Sequence, residues 1–128
     1  MPKPLFPVAL LLLLISSAPS PAAGASSVLC NTSYYTAGDP FAISLAYVLS
    51  DLVVSGSARP GQDYYSISPY PNAFAYGRSS CSGNLNTVNC SYCLRSAVGV
   101  VEKKCPMAIG GRVELGKCGV RYEQSPFV

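Results

Sequence analysis

Six cysteines in a chain of 128 residues constrain this sequence more than any other feature. Three of them crowd into "CSGNLNTVNCSYC", where Cys81, Cys90 and Cys93 are separated by gaps of eight and two residues. Such a cluster is a metal cage, a redox pair or a set of covalent staples, and the compartment of the chain decides among them. Lys3 precedes the apolar run "VALLLLLI", Val8 to Ile15, and then "SSAPSPAAGA" with small residues at Ala23 and Ala25. A positive start, a short apolar core and small residues in that order read as a secretory signal peptide, residues 1–25. A membrane anchor needs about 20 apolar residues, and Pro7 and Pro19 bracket a much shorter run. The expected mature chain is one domain, residues 26–128, in an oxidising compartment. All six cysteines fall inside it, and an even count there reads as three disulfides. The chain has no histidine to complete a mixed zinc site, and no strand–helix–strand pattern surrounds Cys90 and Cys93 as a thioredoxin-like pair requires.

Two helices stand out. In "GDPFAISLAYVLSDLVVSGSARPG", Asp39 is a good N-cap and Pro40 fits the first helical position. Phe41, Leu45, Val48, Leu49 and Leu52 recur at three- and four-residue steps, which predicts a helix over Pro40 to Ser55. The second helix is expected from Thr87, capped by Asn86, to about Lys104, with Pro106 preventing further winding. Cys90, Cys93, Leu94, Ala97, Val98 and Val101 share one face of it. Cys90 and Cys93 therefore point to the core one turn apart and are set to bond two different partners. Cys81 can reach back to Cys90 across a short loop, but spacing alone leaves fifteen pairings open.

The other segments read as strands: Ser27 to Tyr35, Asp63 to Tyr70 and Asn72 to Cys81, rich in aromatic and β-branched residues between Pro and Gly. "GRVELGKCGVRYEQ" reads as a hairpin about a Gly116-Lys117 turn with glycine first. That register sets Arg112 opposite Arg121 and puts Glu123 diagonally from Arg112 on one outward face. The fold class is α+β, with two helices packed on one face of a five-stranded antiparallel sheet.

Chemistry is scarce. Without an imidazole there is no Ser/His or Cys/His nucleophile, and no phosphate-cradling glycine loop is present. Asp39 is engaged as a cap, and Asp51 and Glu102 lie on helices where a solvated role is expected. Glu114 and Glu123 have no cleft between them in the sequence pattern. The reading is a non-enzyme with no cofactor and no metal. The net charge is +3, falling to +2 without Lys3, and the basic residues are scattered, so nucleic acid is not an expected partner. No second hydrophobic span follows the signal segment, and a soluble extracellular monomer is expected. Arg112, Glu123 and polar neighbours on an exposed strand face combine fixed donors with an acceptor, a set able to grip the adjacent hydroxyls of a sugar.

The C-x8-C-x2-C spacing of Cys81, Cys90 and Cys93 resembles the hallmark of the plant cysteine-rich secretory repeat family. "LCNTS", "DPF", "AYGRSSC", "CSYCL", "AIGGRVEL" and "VRYEQSPF" resemble segments of its single-domain members in the same order. The resemblance implies disulfides Cys30–Cys105, Cys81–Cys90 and Cys93–Cys118. It implies a mannose site formed by Asn31, Arg112 and Glu123, antifungal defence through mannan-type glycans of the fungal wall, and secretion to the apoplast. The alternative is an extracellular protein-interaction or signalling module of the same family without sugar binding, as in plant receptor-like kinases and plasmodesmal proteins. Asn31-Thr32-Ser33 is also an N-glycosylation acceptor, so a glycan on Asn31 would compete with sugar binding there. Asn89-Cys90-Ser91 matches the same pattern, but its central cysteine is expected in a disulfide.

Overall fold

The computed structural model of the chain describes residues 26–128; the expected signal peptide lies outside them. Strand β1 (Ser26–Cys30) is followed by helix α1 (Phe41–Val54), a 3-10 turn (Gly56–Ala58), β2 (Tyr64–Ile67) and β3 (Tyr76–Cys81). Helix α2 (Thr87–Lys104), β4 (Gly110–Leu115) and β5 (Cys118–Glu123) complete the order. The five strands form one sheet in the order β1-β4-β5-β3-β2, and every neighbouring pair is antiparallel. The two helices cover one face, giving the α+β architecture expected from the sequence.

Both helices start where their side chains supply a hydrogen-bond acceptor. Asp39 Oδ1 accepts from the Phe41 N–H at 2.9 Å, and Asn86 Oδ1 accepts from the Asn89 N–H at 2.8 Å; each satisfies a donor the helix itself leaves orphaned. The stripe of α1 is the core: Phe41, Val48 and Leu52 are wholly buried, against Leu94, Ala97 and Val101 of α2 and Val113 and Val120 of the sheet. Each large side chain so buried contributes roughly 1.5–3 kcal/mol relative to exposure. Helix α1 rides low on β3 because that strand carries Gly77 beneath it. A Cβ there would come within 2.9 Å of Leu52 Cδ1.

The segment Phe41–Ala58 has a mean hydropathy of 1.6, apolar and long enough by composition to cross a bilayer, which the expectation of no second such run had overlooked. Its stripe instead packs on the sheet, and its outer side adds Ile43, Tyr47 and Val54. Asp51 corrects a second expectation. It is not a solvated helix residue: Oδ2 accepts from the Tyr64 hydroxyl at 2.6 Å and the Ser66 hydroxyl at 2.7 Å, and Oδ1 accepts from the Ser55 hydroxyl at 2.8 Å. The carboxylate thus ties α1 to the edge strand β2.

Three strands are shorter than the sequence pattern suggests, each for a local reason. After Cys30, the Asn31 side chain takes the Ser33 N–H at 2.9 Å and turns the chain out of the ladder. Pairing resumes only as the single bridge Tyr34–Ala108. β2 stops at Ile67 because Ser68 closes a loop on Ala75, through a backbone bond of 3.0 Å and a side-chain bond of 2.9 Å, and Pro69 has no N–H to continue pairing. The same loop delays β3 to Tyr76. The β4–β5 hairpin has the expected register, Arg112 opposite Arg121 and Val113 opposite Val120. Its turn is the expected two residues, Gly116 and Lys117, with Gly116 at φ +72° and the Lys117 N–H donating to the Leu115 carbonyl.

The cysteines form three disulfides: Cys30–Cys105, Cys81–Cys90 and Cys93–Cys118. Cys90 and Cys93, one turn apart on α2, bind the end of β3 and the start of β5. The C-x2-C is a pair of staples holding one helix to two adjacent strands. The third disulfide fastens the end of β1 to the residue after α2.

Candidate functional site

The outward face of the sheet is unlike the helical face. Because side chains alternate along strands and pair across them, the register lays residues in rows. One row runs Gly110, Glu123, Tyr76 and Ile67 across β4, β5, β3 and β2. Asn31 extends it beyond β1, where its backbone N–H donates to the Gly110 carbonyl at 2.9 Å. The next row runs Leu29, Arg112, Arg121, Arg78 and Tyr65.

Where these rows meet at β1, β4 and β5 there is a depression of about 210 Å³. Asn31, Arg112 and Glu123 all line it, so the structure brings the three sequence-selected residues together. Each arrives by a different route. Asn31 is held by the strand-ending turn next to the Cys30–Cys105 disulfide, whose first cysteine is itself part of the wall. Arg112 projects from the middle of β4. Glu123 ends β5, and its carboxylate lies over Gly110 in the volume that a Cβ would take. Any side chain at position 110 would displace it.

A fourth residue, Arg121, completes the wall. Its Nε donates to Glu123 Oε2 at 3.0 Å, with both side chains about a quarter exposed (26% and 25%). Its guanidinium in turn lies 4.1 Å from the ring centroid of Phe127, a cation–π contact supplied by the segment that follows β5. The sequence carried a signal for Arg121: β5 alternates Val120 and Tyr122 inward with Arg121 and Glu123 outward. Phe127 had none, since it lies beyond the last strand.

The hydrogen-bonding capacity of the depression is asymmetric. Arg112 makes no side-chain hydrogen bond or ion pair with any described residue, so its donors are open. Glu123 keeps Oε1 free to accept. One carbonyl lone pair of Asn31 is used by Ser33, leaving its two amide protons as donors. The set presents donors on the β1–β4 side and an acceptor on the β5 side, across a shallow polar cup. A larger groove of about 660 Å³ lies between α1 and α2. It holds only Arg95 and Glu102 as charged groups among small and apolar residues, and it offers no comparable convergence.

The family model described as salt stress response/antifungal matches residues 29–125. An antifungal ginkbilobin-like protein 1 from Picea glauca is 37% identical over 100 residues, covering 77% of this chain and 70% of that protein. Antifungal protein ginkbilobin-2 from Ginkgo biloba is 33% identical over 124 residues, covering 95% and 90%. The tandem DUF26 ectodomain of the Arabidopsis thaliana cysteine-rich receptor-like protein PDLP8 superposes with a TM-score of 0.73 at 25% identity. That match covers 80% of this chain and 49% of the ectodomain, so the chain spans about half of the solved structure it resembles. With its cysteine spacing, its fold and its sequence all agreeing, the chain belongs to the salt stress response/antifungal family.

Proposed function

We propose that this protein is a secreted plant defence lectin that binds mannose units of fungal mannan-type glycans in the depression formed by Asn31, Arg112 and Glu123, and restrains fungal growth by doing so. The observation that carries the reading is the convergence of those three side chains on one cup, with donors and an acceptor on opposite sides. A hexose presents neighbouring hydroxyls that each donate and accept, so a guanidinium and an amide on one side and a carboxylate on the other can hydrogen-bond it. The antifungal names of relatives that align along most of the chain point the same way. The role is binding rather than catalysis: all six cysteines are paired and the chain has no histidine. The site of action is the apoplast, and no cofactor or metal is required.

Calorimetric titration of the mature protein with mannose tests this directly. Saturable heats are expected, lost in Arg112→Ala and in Glu123→Ala while the thermal transition stays near that of the parent. Both side chains are on the surface side of the sheet, so neither change opens the core. Flat heats both in the native protein and in protein produced without the N-glycan, with Asn31 intact, would remove the lectin reading. The second reading, an extracellular protein-interaction module, would then stand. It is favoured by the 27% identity to plasmodesmata-located protein 8 of Arabidopsis thaliana, a match covering 37% of that protein.

A further inference from the structure

The polar cup is one end of a longer feature. Farther along the same outward row, beyond Glu123, the chain after β5 folds back over the sheet and walls a second cleft of about 260 Å³. Pro126 and Phe127 form one side of it; Tyr65, Ile67 and Tyr76 form the other. Tyr65 and Ile67 are 48% and 59% exposed, large apolar surfaces that a lone edge strand does not need. The two cavities have separate linings and are joined by a chain of side-chain contacts. Phe127 borders the cleft and also supports the Arg121 guanidinium, and Arg121 holds Glu123 in the cup. Tyr76 is the direct cross-strand partner of Glu123.

We propose that the cleft is a second sugar subsite, and that the ligand is a linked run of hexoses rather than a single mannose. This rests on the lectin reading above and deepens it. A pyranose has a hydroxyl rim and flat faces of C–H groups. The cup grips a rim through hydrogen bonds, while the cleft, lined by Tyr65, Ile67, Tyr76 and Phe127, offers apolar and aromatic surface to a face. From Glu123 to Ile67 is two strand spacings, on the order of 10 Å, a span wider than one pyranose ring. The neighbouring sugar of the same chain is therefore the occupant that continuity with the cup selects. Binding the second unit adds apolar contact without a second loss of translational freedom, so affinity rises with chain length.

The experiment is calorimetry of the mature protein carrying Ser33→Ala, which lacks the glycan acceptor and keeps Asn31, with mannose, mannobiose and mannotriose. Affinity is expected to rise from mannose to mannotriose by between about 2- and 12-fold, the range of one good aromatic contact. Tyr65→Ala and Ile67→Ser, at exposed edge-strand positions outside the cup, remove that rise and keep mannose itself near its parent affinity. Phe127→Leu, which disturbs both cavities, weakens all three ligands. Equal affinity for the three sugars, or a length dependence that survives in Tyr65→Ala and Ile67→Ser, overturns the subsite while leaving the lectin reading intact. Absence of binding to every sugar removes both. Concentration-dependent dimerisation in sedimentation that Ile67→Ser abolishes also overturns it, since a second copy would then be what covers the cleft.

Discussion

The Nε of Arg121 lies 3.0 Å from Oε2 of Glu123, two residues along the same outward edge of β5. Sequence register points to Arg112 as the natural neighbour of Glu123, but the nearer arginine holds the carboxylate and leaves Arg112 free. Gly110 supplies the other half of the arrangement, because the Glu123 carboxylate occupies the space above it. Gly110→Ala is therefore expected to push the carboxylate aside. The displaced group is the end of a flexible side chain, so stability should change by no more than about 1 kcal/mol, while mannose affinity falls at least about tenfold, or ~1.4 kcal/mol. Calorimetry beside thermal unfolding separates the two effects. Unaltered mannose affinity would mean that the position of Glu123 is irrelevant to the cup.

The uneven legibility of this site follows from how far its information is spread along the chain. Arg112 and Glu123 fall within one hairpin, where the turn at Gly116 fixes register, so their common face can be read locally. The helices are legible for the same reason: Asp39 and Asn86 announce their starts, and the apolar stripe after each sets the buried face. Asn31 reaches the cup only because β1 pairs with β4 from the far end of the sequence, a long-range choice that no local pattern encodes; family resemblance singles it out, whereas periodicity cannot. Arg121 alternates outward visibly, yet its pairing with Glu123 instead of Arg112 depends on side-chain geometry. Asp51 reads as an ordinary helix carboxylate until the edge strand is laid beside it. Phe127 depends on a tail folding back over the sheet, and nothing around it signals that return.

Asp51 makes acid stability a test of the α1–β2 junction. Burial favours the neutral acid, but the hydrogen bonds from Tyr64, Ser66 and Ser55 outweigh it and hold the carboxyl below the usual aspartate range. A depressed folded-state pKa stabilises the fold fully above the ordinary value of about 3.9. That contribution is lost as the pH falls from there through the folded-state value. Asp51→Ala is expected to cost about 2–3 kcal/mol near neutrality, since it strands the hydroxyls of Tyr64 and Ser66. The deficit should shrink as the pH falls from about 3.9 through the folded-state value, as the parent loses the same interaction. Urea midpoints of both proteins across that range check it, and parallel acid profiles would show that the network does not titrate with folding.

The three disulfides close loops of very different size, with sequence separations of 75, 25 and 9 residues for Cys30–Cys105, Cys93–Cys118 and Cys81–Cys90. Chain-entropy reasoning gives about 4.5, 3.5 and 2.6 kcal/mol of stabilisation in that order. Paired Cys→Ala variants should rank the same way in thermal unfolding. The longest loop has a second consequence, because Cys30 is a wall of the polar cup and the anchor of Asn31. Removing Cys30–Cys105 should weaken mannose binding even at temperatures where the variant is folded. Removing Cys81–Cys90, which braces α2 against β3, should leave binding at the parent level under the same conditions. A reversed order of binding loss would place the anchor of the cup elsewhere.

Ser33 offers a way to separate the glycan acceptor from the sugar site. The Asn31-Thr32-Ser33 pattern needs the Ser33 hydroxyl, but the turn that positions Asn31 uses only the Ser33 backbone N–H, at 2.9 Å from Asn31 Oδ1. Ser33→Ala therefore abolishes the acceptor and keeps both the asparagine and its geometry. Ser33 is exposed, so stability should stay within about 0.5 kcal/mol of the parent. Produced in a plant secretory host, the variant is expected to be lighter by one N-glycan and to bind mannose more tightly than the glycosylated parent, because the Asn31 amide is then free to donate. Enzymatic deglycosylation that converts Asn31 to aspartate should not reproduce the gain, since a carboxylate there offers no donor. Equal affinity of Ser33→Ala and a demonstrably glycosylated parent would show that Asn31 takes no part in holding the sugar, leaving Arg112, Arg121 and Glu123 to do so alone.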